Sequence, residues 1–189
     1  MYLKGKSAEQ VCETVKGQIG KPIVLVGLMG VGKSTVGSRL AKKLHLDFVD
    51  ADEEIEKAAR MSIAEIFETF GEEFFRDGER RVIARLIDDG PKVVATGGGA
   101  FMNDETRALI GEKAVSVWLN ADIDLLVERV ERRNTRPLLR DKDPAAVLRD
   151  LAAKRNPIYA QANVQVRSVR GPHGNTVNAI IEGLAEWLT

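Results

Sequence analysis

Short apolar runs alternate along the chain with longer stretches in which apolar residues recur every three or four positions. The runs "PIVLVG" (22–27), "LDFVDAD" (46–52), "KVVATGG" (92–98), "AVSVWLN" (114–120) and "NVQVR" (163–167) are brief and rich in β-branched residues. Most are apolar on both faces, the pattern of strands covered by helices above and below. Between them lie segments with helical periodicity. In "STVGSRLAKKLH", Val36, Leu40 and Leu44 form one apolar stripe. "SIAEIFETF" opens with Ser62 and Glu65 at capping-box spacing. "EEFFRDGERRVIARLIDDG" ends in a glycine, and "PAAVLRDLAAKR" begins with Pro144, suited to a first helical turn. Strands alternating with helices require crossovers and hence a mainly parallel sheet. The predicted fold is α/β, a three-layer α/β/α domain over 21–189 with a five-stranded parallel sheet. Residues 1–20 are expected to be an extension with a short helix at most.

At 189 residues, the chain can bury a core without metals or disulfides to staple it. Lys+Arg and Asp+Glu both number 28, and a net charge of zero argues against a nucleic-acid or membrane-surface binder. From Arg129 to Arg155, however, nine Lys/Arg stand against four Asp/Glu. A solvated helix face would explain that surplus as well as an anionic ligand would. The one cysteine, Cys12, excludes an internal disulfide and suits a reducing compartment; it reads as a small buried residue. The start "MYLKGKSAEQVCETVKG" has no apolar core of signal-peptide length, and no run approaches the ~18 apolar residues of a membrane span. A cytoplasmic monomer with small-molecule substrates is expected, without nucleic-acid or membrane partners. His45 and His173 show no metal-ligand spacing and read as surface or packing residues.

One stretch is poor core material and calls for another use. Gly27-Leu28-Met29-Gly30-Val31-Gly32-Lys33-Ser34 fits G-x-x-x-x-G-K-[ST], after a predicted strand and before a predicted helix. Glycines let successive N–H groups turn inward into a concave anion site, and the next helix adds the positive end of its dipole. Gly30, Val31, Gly32, Lys33, Ser34 and Thr35 are therefore candidates to hold ATP. Lys33 can reach the β- and γ-phosphates, and the Ser34 hydroxyl can ligate Mg²⁺.

Three clusters bear on what receives the phosphate. The second strand ends in "DAD" at the carboxyl edge of the sheet, where ligands of open α/β sheets bind. Asp50 and Asp52, two residues apart on a strand, would share a face, one serving Mg²⁺ through water and the other an acceptor hydroxyl. Asp52 as the cap of helix "EEIEKAAR" is the plainer alternative. Gly97, Gly98 and Gly99 follow the third strand, either for close approach to a ligand or as a simple loop. Arg76, Arg136 and Arg155 are candidates to bind carboxylate or phosphate, although each taken singly is more often a surface residue. "RRNTRPLLRDKDP" has no clear period and reads as a lid over about 132–145, able to exclude water.

Together "GLMGVGKST", "DFVDAD", "SIAEIFETFGEEFFRDGE", "VVATGGGA", "RPLL" and "AKRNPIY" resemble the shikimate kinase family in order and spacing, over about residues 22–188. The resemblance implies a nucleoside-monophosphate-kinase-like P-loop fold and ATP-dependent phosphorylation of the 3-hydroxyl of shikimate, in aromatic amino-acid biosynthesis. Carried over position by position, Asp52 would hold the acceptor hydroxyl. Arg76 and Arg155 would clamp the shikimate carboxylate, with Gly97, Gly98 and Gly99 lining the pocket and shikimate-binding helices over about 52–90. Arg136 would be the lid arginine, Asp50 would meet Mg²⁺ through water, and Arg129 would lie near the adenine. The chain departs from the family pattern in "VRSVRGPHGNT", where Arg167 stands in place of an acidic residue, and no residue is assigned there. The rival readings are a kinase of another small acceptor, such as gluconate or a nucleoside monophosphate, and a catalytically silent nucleotide-binding regulator.

Overall fold

The computed structural model describes residues 7–131 and 143–189. Five strands form one wholly parallel sheet: β1 (Ile23–Val26), β2 (Asp47–Asp50), β3 (Lys92–Ala95), β4 (Val115–Asn120) and β5 (Val164–Arg167), in the order β2-β3-β1-β4-β5. β1 and β3 are buried at every position, as continuous apolar runs predict. The edges differ. β5 alternates buried Val164 and Val166 with exposed Gln165 and Arg167, and β2 is only partly covered, because each edge strand pairs on one side alone. The alternation in "NVQVR" is thus an edge signature rather than a two-sided one.

The helices are α1 (Ala8–Gln18), α2 (Lys33–Leu44), α3 (Ala51–Ala59), α4 (Ile63–Asp88), α5 (Asp104–Lys113), α6 (Ile123–Glu131), α7 (Pro144–Tyr159) and α8 (His173–Trp187). α2 buries Val36, Leu40 and Leu44, the predicted stripe. It lies close on the sheet: a β-carbon on Gly37 would stand 2.7 Å from the Phe48 ring and 3.0 Å from Leu25. α4 begins with the predicted capping box, in which the Ser62 hydroxyl accepts from Glu65 N and the Glu65 carboxylate accepts from Ser62 N. The helix is broken at Gly71 (φ 81°, ψ 177°), a conformation that glycine supplies without steric cost. α7 starts with Pro144 behind the Asp143 cap and runs on through Pro157 to Tyr159.

Two expectations are amended. The segment before residue 21 contributes a capped 11-residue helix whose Val11, Cys12 and Val15 are buried in the common core, packed beside α8 and α2. Its polar composition hid a three-residue apolar face. Asp52 does not share a strand with Asp50: β2 ends at Asp50, which caps α3 by accepting from Asp52 N at 3.1 Å, and Asp52 sits in the first turn of that helix. The local preference of Asp for a cap ends the strand two residues early. No helix among the described residues is long and apolar enough to cross a membrane.

Candidate active site

The carboxyl ends of β1 and β3, adjacent in the sheet, each run into a glycine-rich loop, and a cleft of about 450 Å³ opens above them. After β1, Gly30 (φ 80°) and Gly32 (φ 99°) take left-handed backbone angles, bending residues 27–32 into a loop that feeds α2. Gly30, Gly32, Lys33, Ser34 and Thr35 line the cleft, while Val31 is buried behind it and its carbonyl accepts from Arg129. Lys33 Nζ donates to the carbonyls of Gly27 (2.7 Å) and Leu28 (3.0 Å), curling over the loop it follows. The Ser34 hydroxyl donates to Asp50 Oδ2 at 2.6 Å. A hydroxyl and a carboxylate together at the phosphate loop are hard oxygen donors of the kind Mg²⁺ takes beside phosphates and water, so the residues present fit that ion.

The loop after β3 explains its three glycines one by one. A β-carbon on Gly97 would stand 2.8 Å from Glu79 Oε1 and 2.9 Å from Asp52 Oδ1; one on Gly98 would stand 3.3 Å from Arg155 Nη1; one on Gly99 would lie 2.5 Å from both terminal nitrogens of Arg76. Each missing side chain is the space for a charged one. Thr96 Oγ1 ties this loop back to β1 through the Leu25 carbonyl at 3.0 Å. Arg155 Nη1 donates to the Gly98 carbonyl at 3.0 Å, and the Tyr159 hydroxyl donates to the same oxygen. Arg76 from α4 and Arg155 from α7 are thus brought together on one loop with Asp52, from positions 24 to 103 residues apart in sequence.

The electrostatics follow from burial. Glu79 is 2% exposed, and burial pushes its carboxyl above the usual range, offset in part by Arg76, whose Nη1 donates to Glu79 Oε2 at 2.7 Å. Burial acts to lower Arg76, but Glu79 and Glu72 outweigh it and hold the guanidinium more firmly charged. Both groups are thus raised, the carboxyl by its deep burial and the guanidinium by its two carboxylate neighbours. Burial pushes Tyr159 up to about 12, Arg155 opposing. Burial also lowers Arg129.

Arg129, on α6, spans the far end of the cleft: Nη1 donates to the Val31 carbonyl (3.1 Å) and Ser168 Oγ (3.3 Å), and Nη2 to the Val169 carbonyl (3.4 Å). Arg136 and most of the lid over 132–145 lie outside the described residues. Sequence reasoning missed Glu79, Tyr159, Glu128, Arg170 and His173. Two of these had a signal: Glu79 follows Arg76 by three positions and Tyr159 follows Arg155 by four, the spacings that place side chains on one helix face. Glu128, Arg170 and His173, which line the cleft, had none. Arg167, at the departure from the family pattern, pairs with Asp122 at 2.7 Å on the surface.

A cleft with a phosphate loop at one end and, at the other, Asp52 and a glycine loop against which two guanidinium groups pack belongs to a P-loop kinase of a small anionic molecule. Comparison with known proteins narrows the class. The family model described as shikimate kinase matches residues 29–185. A shikimate kinase of Caulobacter vibrioides is 62% identical over 166 residues, covering 88% of this chain and 83% of the relative. One of Novosphingobium aromaticivorans is 55% identical over 175 residues, covering 90% and 91%. The solved shikimate kinase from Acinetobacter baumannii in complex with shikimate is 34% identical, with a TM-score of 0.84, over 90% of this chain and 95% of that one. The chain belongs to the shikimate kinase family.

Proposed function

We propose that this cleft transfers the γ-phosphoryl group of ATP to the 3-hydroxyl of shikimate, giving shikimate 3-phosphate and ADP. The observation that supports it most is the meeting of Arg76, Arg155 and Asp52 on the triple-glycine loop, next to the phosphate loop. An acceptor bearing one carboxylate and ring hydroxyls needs a cationic clamp and a hydroxyl-orienting carboxylate, and this end of the cleft offers both. Arg76 and Arg155 hold the shikimate carboxylate, with the former braced by Glu79. Gly97, Gly98 and Gly99 line the acceptor end and leave room for these charged side chains against the loop. Asp52, at the start of α3, orients the acceptor hydroxyl and draws its proton as the phosphorus–oxygen bond forms.

At the donor end, the amides of Gly30 to Thr35 cradle the phosphates, and Lys33 moves from the loop carbonyls onto the β- and γ-phosphate oxygens. Ser34 and, through water, Asp50 would hold Mg²⁺, which would supply neutralisation of phosphate charge. Arg129 closes the nucleotide end. Arg136 is assigned to the transferring phosphoryl group on its sequence position alone. Catalysis in this scheme is positioning plus electrostatic stabilisation, with α3 and α4 carrying the acceptor side. Product identification tests the reading. With Mg·ATP and shikimate, phosphorus-coupled NMR should show the phosphate on the C3 oxygen; a phosphate elsewhere on the ring, or none, refutes the assigned orientation.

A further inference from the structure

Tyr159 is the last residue of α7, four positions after Arg155, and its side chain is completely buried. The ring lies nearly parallel to two aromatic neighbours. One is Phe101, in the 3₁₀ turn Ala100–Met102 that follows the triple-glycine loop, with centroids 6.5 Å apart; the other is Trp118 of β4, at 6.1 Å. A large ring packed in this way keeps one orientation, which fixes where its hydroxyl stands. That hydroxyl donates to the Gly98 carbonyl, and Arg155 Nη1 donates to the same oxygen at 3.0 Å. Where a β-carbon on Gly98 would stand, Arg155 Nη1 is 3.3 Å away, the Gly27 carbonyl oxygen of the phosphate loop 3.5 Å and the Tyr159 oxygen 3.7 Å. Burial pushes the phenol up to about 12, so at neutral pH it is an un-ionised donor.

We infer that Tyr159 is a positioning residue for the acceptor: its hydroxyl holds the Gly98 carbonyl and thereby sets the direction in which Arg155 presents its guanidinium to the shikimate carboxylate. The inference rests on the clamp role given to Arg155 above. A carbonyl oxygen has two lone pairs. With the phenol on one of them, Arg155 Nη1 is confined to the other. An arginine side chain has many rotamers, and ordering it on binding costs affinity unless it is ordered beforehand. Without the hydroxyl, both lone pairs are open to the guanidinium, and the substrate must select among its orientations. Tyr159 has no exposed surface of its own, so it acts through Arg155 and the loop and not by touching substrate.

Tyr159→Phe keeps the ring and its two stacked neighbours and removes only the oxygen. In steady-state kinetics it should raise the KM for shikimate about three- to tenfold, while kcat and the KM for ATP stay near their parent values. Introduced into Arg155→Ala, the same substitution should raise the KM for shikimate no further, because the group it orients is already gone. An unaltered shikimate KM in Tyr159→Phe, with or without a fall in Tm, overturns the inference and leaves the kinase reading standing. Equal rises in both KM values also overturn it, since the hydroxyl would then be holding the whole site. So does a rise in the Arg155→Ala background as large as in the parent, which would make the hydroxyl independent of Arg155. An Arg155→Ala variant with the parent's shikimate KM brings down the clamp reading and this inference together.

Discussion

Arg155 reaches the Gly98 carbonyl from α7, and Arg76 reaches Gly99 from α4, so two helices far apart in sequence supply one cationic seat. Arg155→Ala should raise the KM for shikimate about 10- to 150-fold, the ~1.5–3 kcal/mol of a hydrogen bond to a charged group, while the KM for ATP stays near its parent value. Equal losses for both substrates in steady-state kinetics would remove Arg155 from the clamp. Tyr159 gives a pH prediction. Its folded-state value of about 12 lies above the ordinary 10.0, so its un-ionised hydroxyl contributes stability that is complete below pH 10 and is lost as pH rises to 12. The loss amounts to about 2–3 kcal/mol. Tm measured across that interval should fall more steeply for the parent than for Tyr159→Phe, which lacks the titrating group; parallel curves would mean that the buried hydroxyl does not titrate there. At this scale the sequence showed the arginines by residue type and, by helical spacing, companions on the same helix faces, but not that those companions are buried. Glu79 and Tyr159 take their importance from burial at 2% and 0% exposure, which no local pattern announces.

The loop after β3 shows how an element can be shaped by what approaches it. Gly99 has φ −95° and ψ −18°, an ordinary backbone that alanine also adopts, so its glycine is explained by the guanidinium of Arg76 rather than by the turn. Gly99→Ala should push Arg76 off its seat, raise the KM for shikimate and leave the KM for ATP and the Tm little changed. A variant with unaltered shikimate kinetics would show that Arg76 has another equally good position. Elements were legible wherever a repeat or a cap marks them: the capping box of α4, Pro144 at the start of α7 and the stripe on α2 all stand where the spacing puts them. The misread element was the end of β2. A carboxylate immediately before a helix competes for strand and cap at once, and in the structure Asp50 takes the cap while Asp52 passes to α3.

For the whole molecule, the parallel sheet with β1 at its centre places the phosphate loop and the triple-glycine loop side by side, and the cleft is the gap between them. The parallel sheet was legible from the alternation of strands and helices, but the order that sets β3 beside β1 was not. The place of α1 was not, because an 11-residue helix with three buried positions looks from its sequence like a solvated extension. Val15 is fully buried against the rest of the core. Val15→Ala should cost about 2 kcal/mol, a fall in Tm of about 4–8 °C, with both KM values unchanged; a Tm equal to that of the parent would mean that α1 adds nothing to the fold. The reading of the molecule as a kinase of shikimate meets its most direct test in ADP release from Mg·ATP, followed with no acceptor, with shikimate, with gluconate and with nucleoside monophosphates. Release stimulated by shikimate alone is expected from the arginine pair and Asp52. Stimulation by another acceptor, or by none while ATP still binds, would leave the fold and the phosphate loop in place and refute the acceptor site.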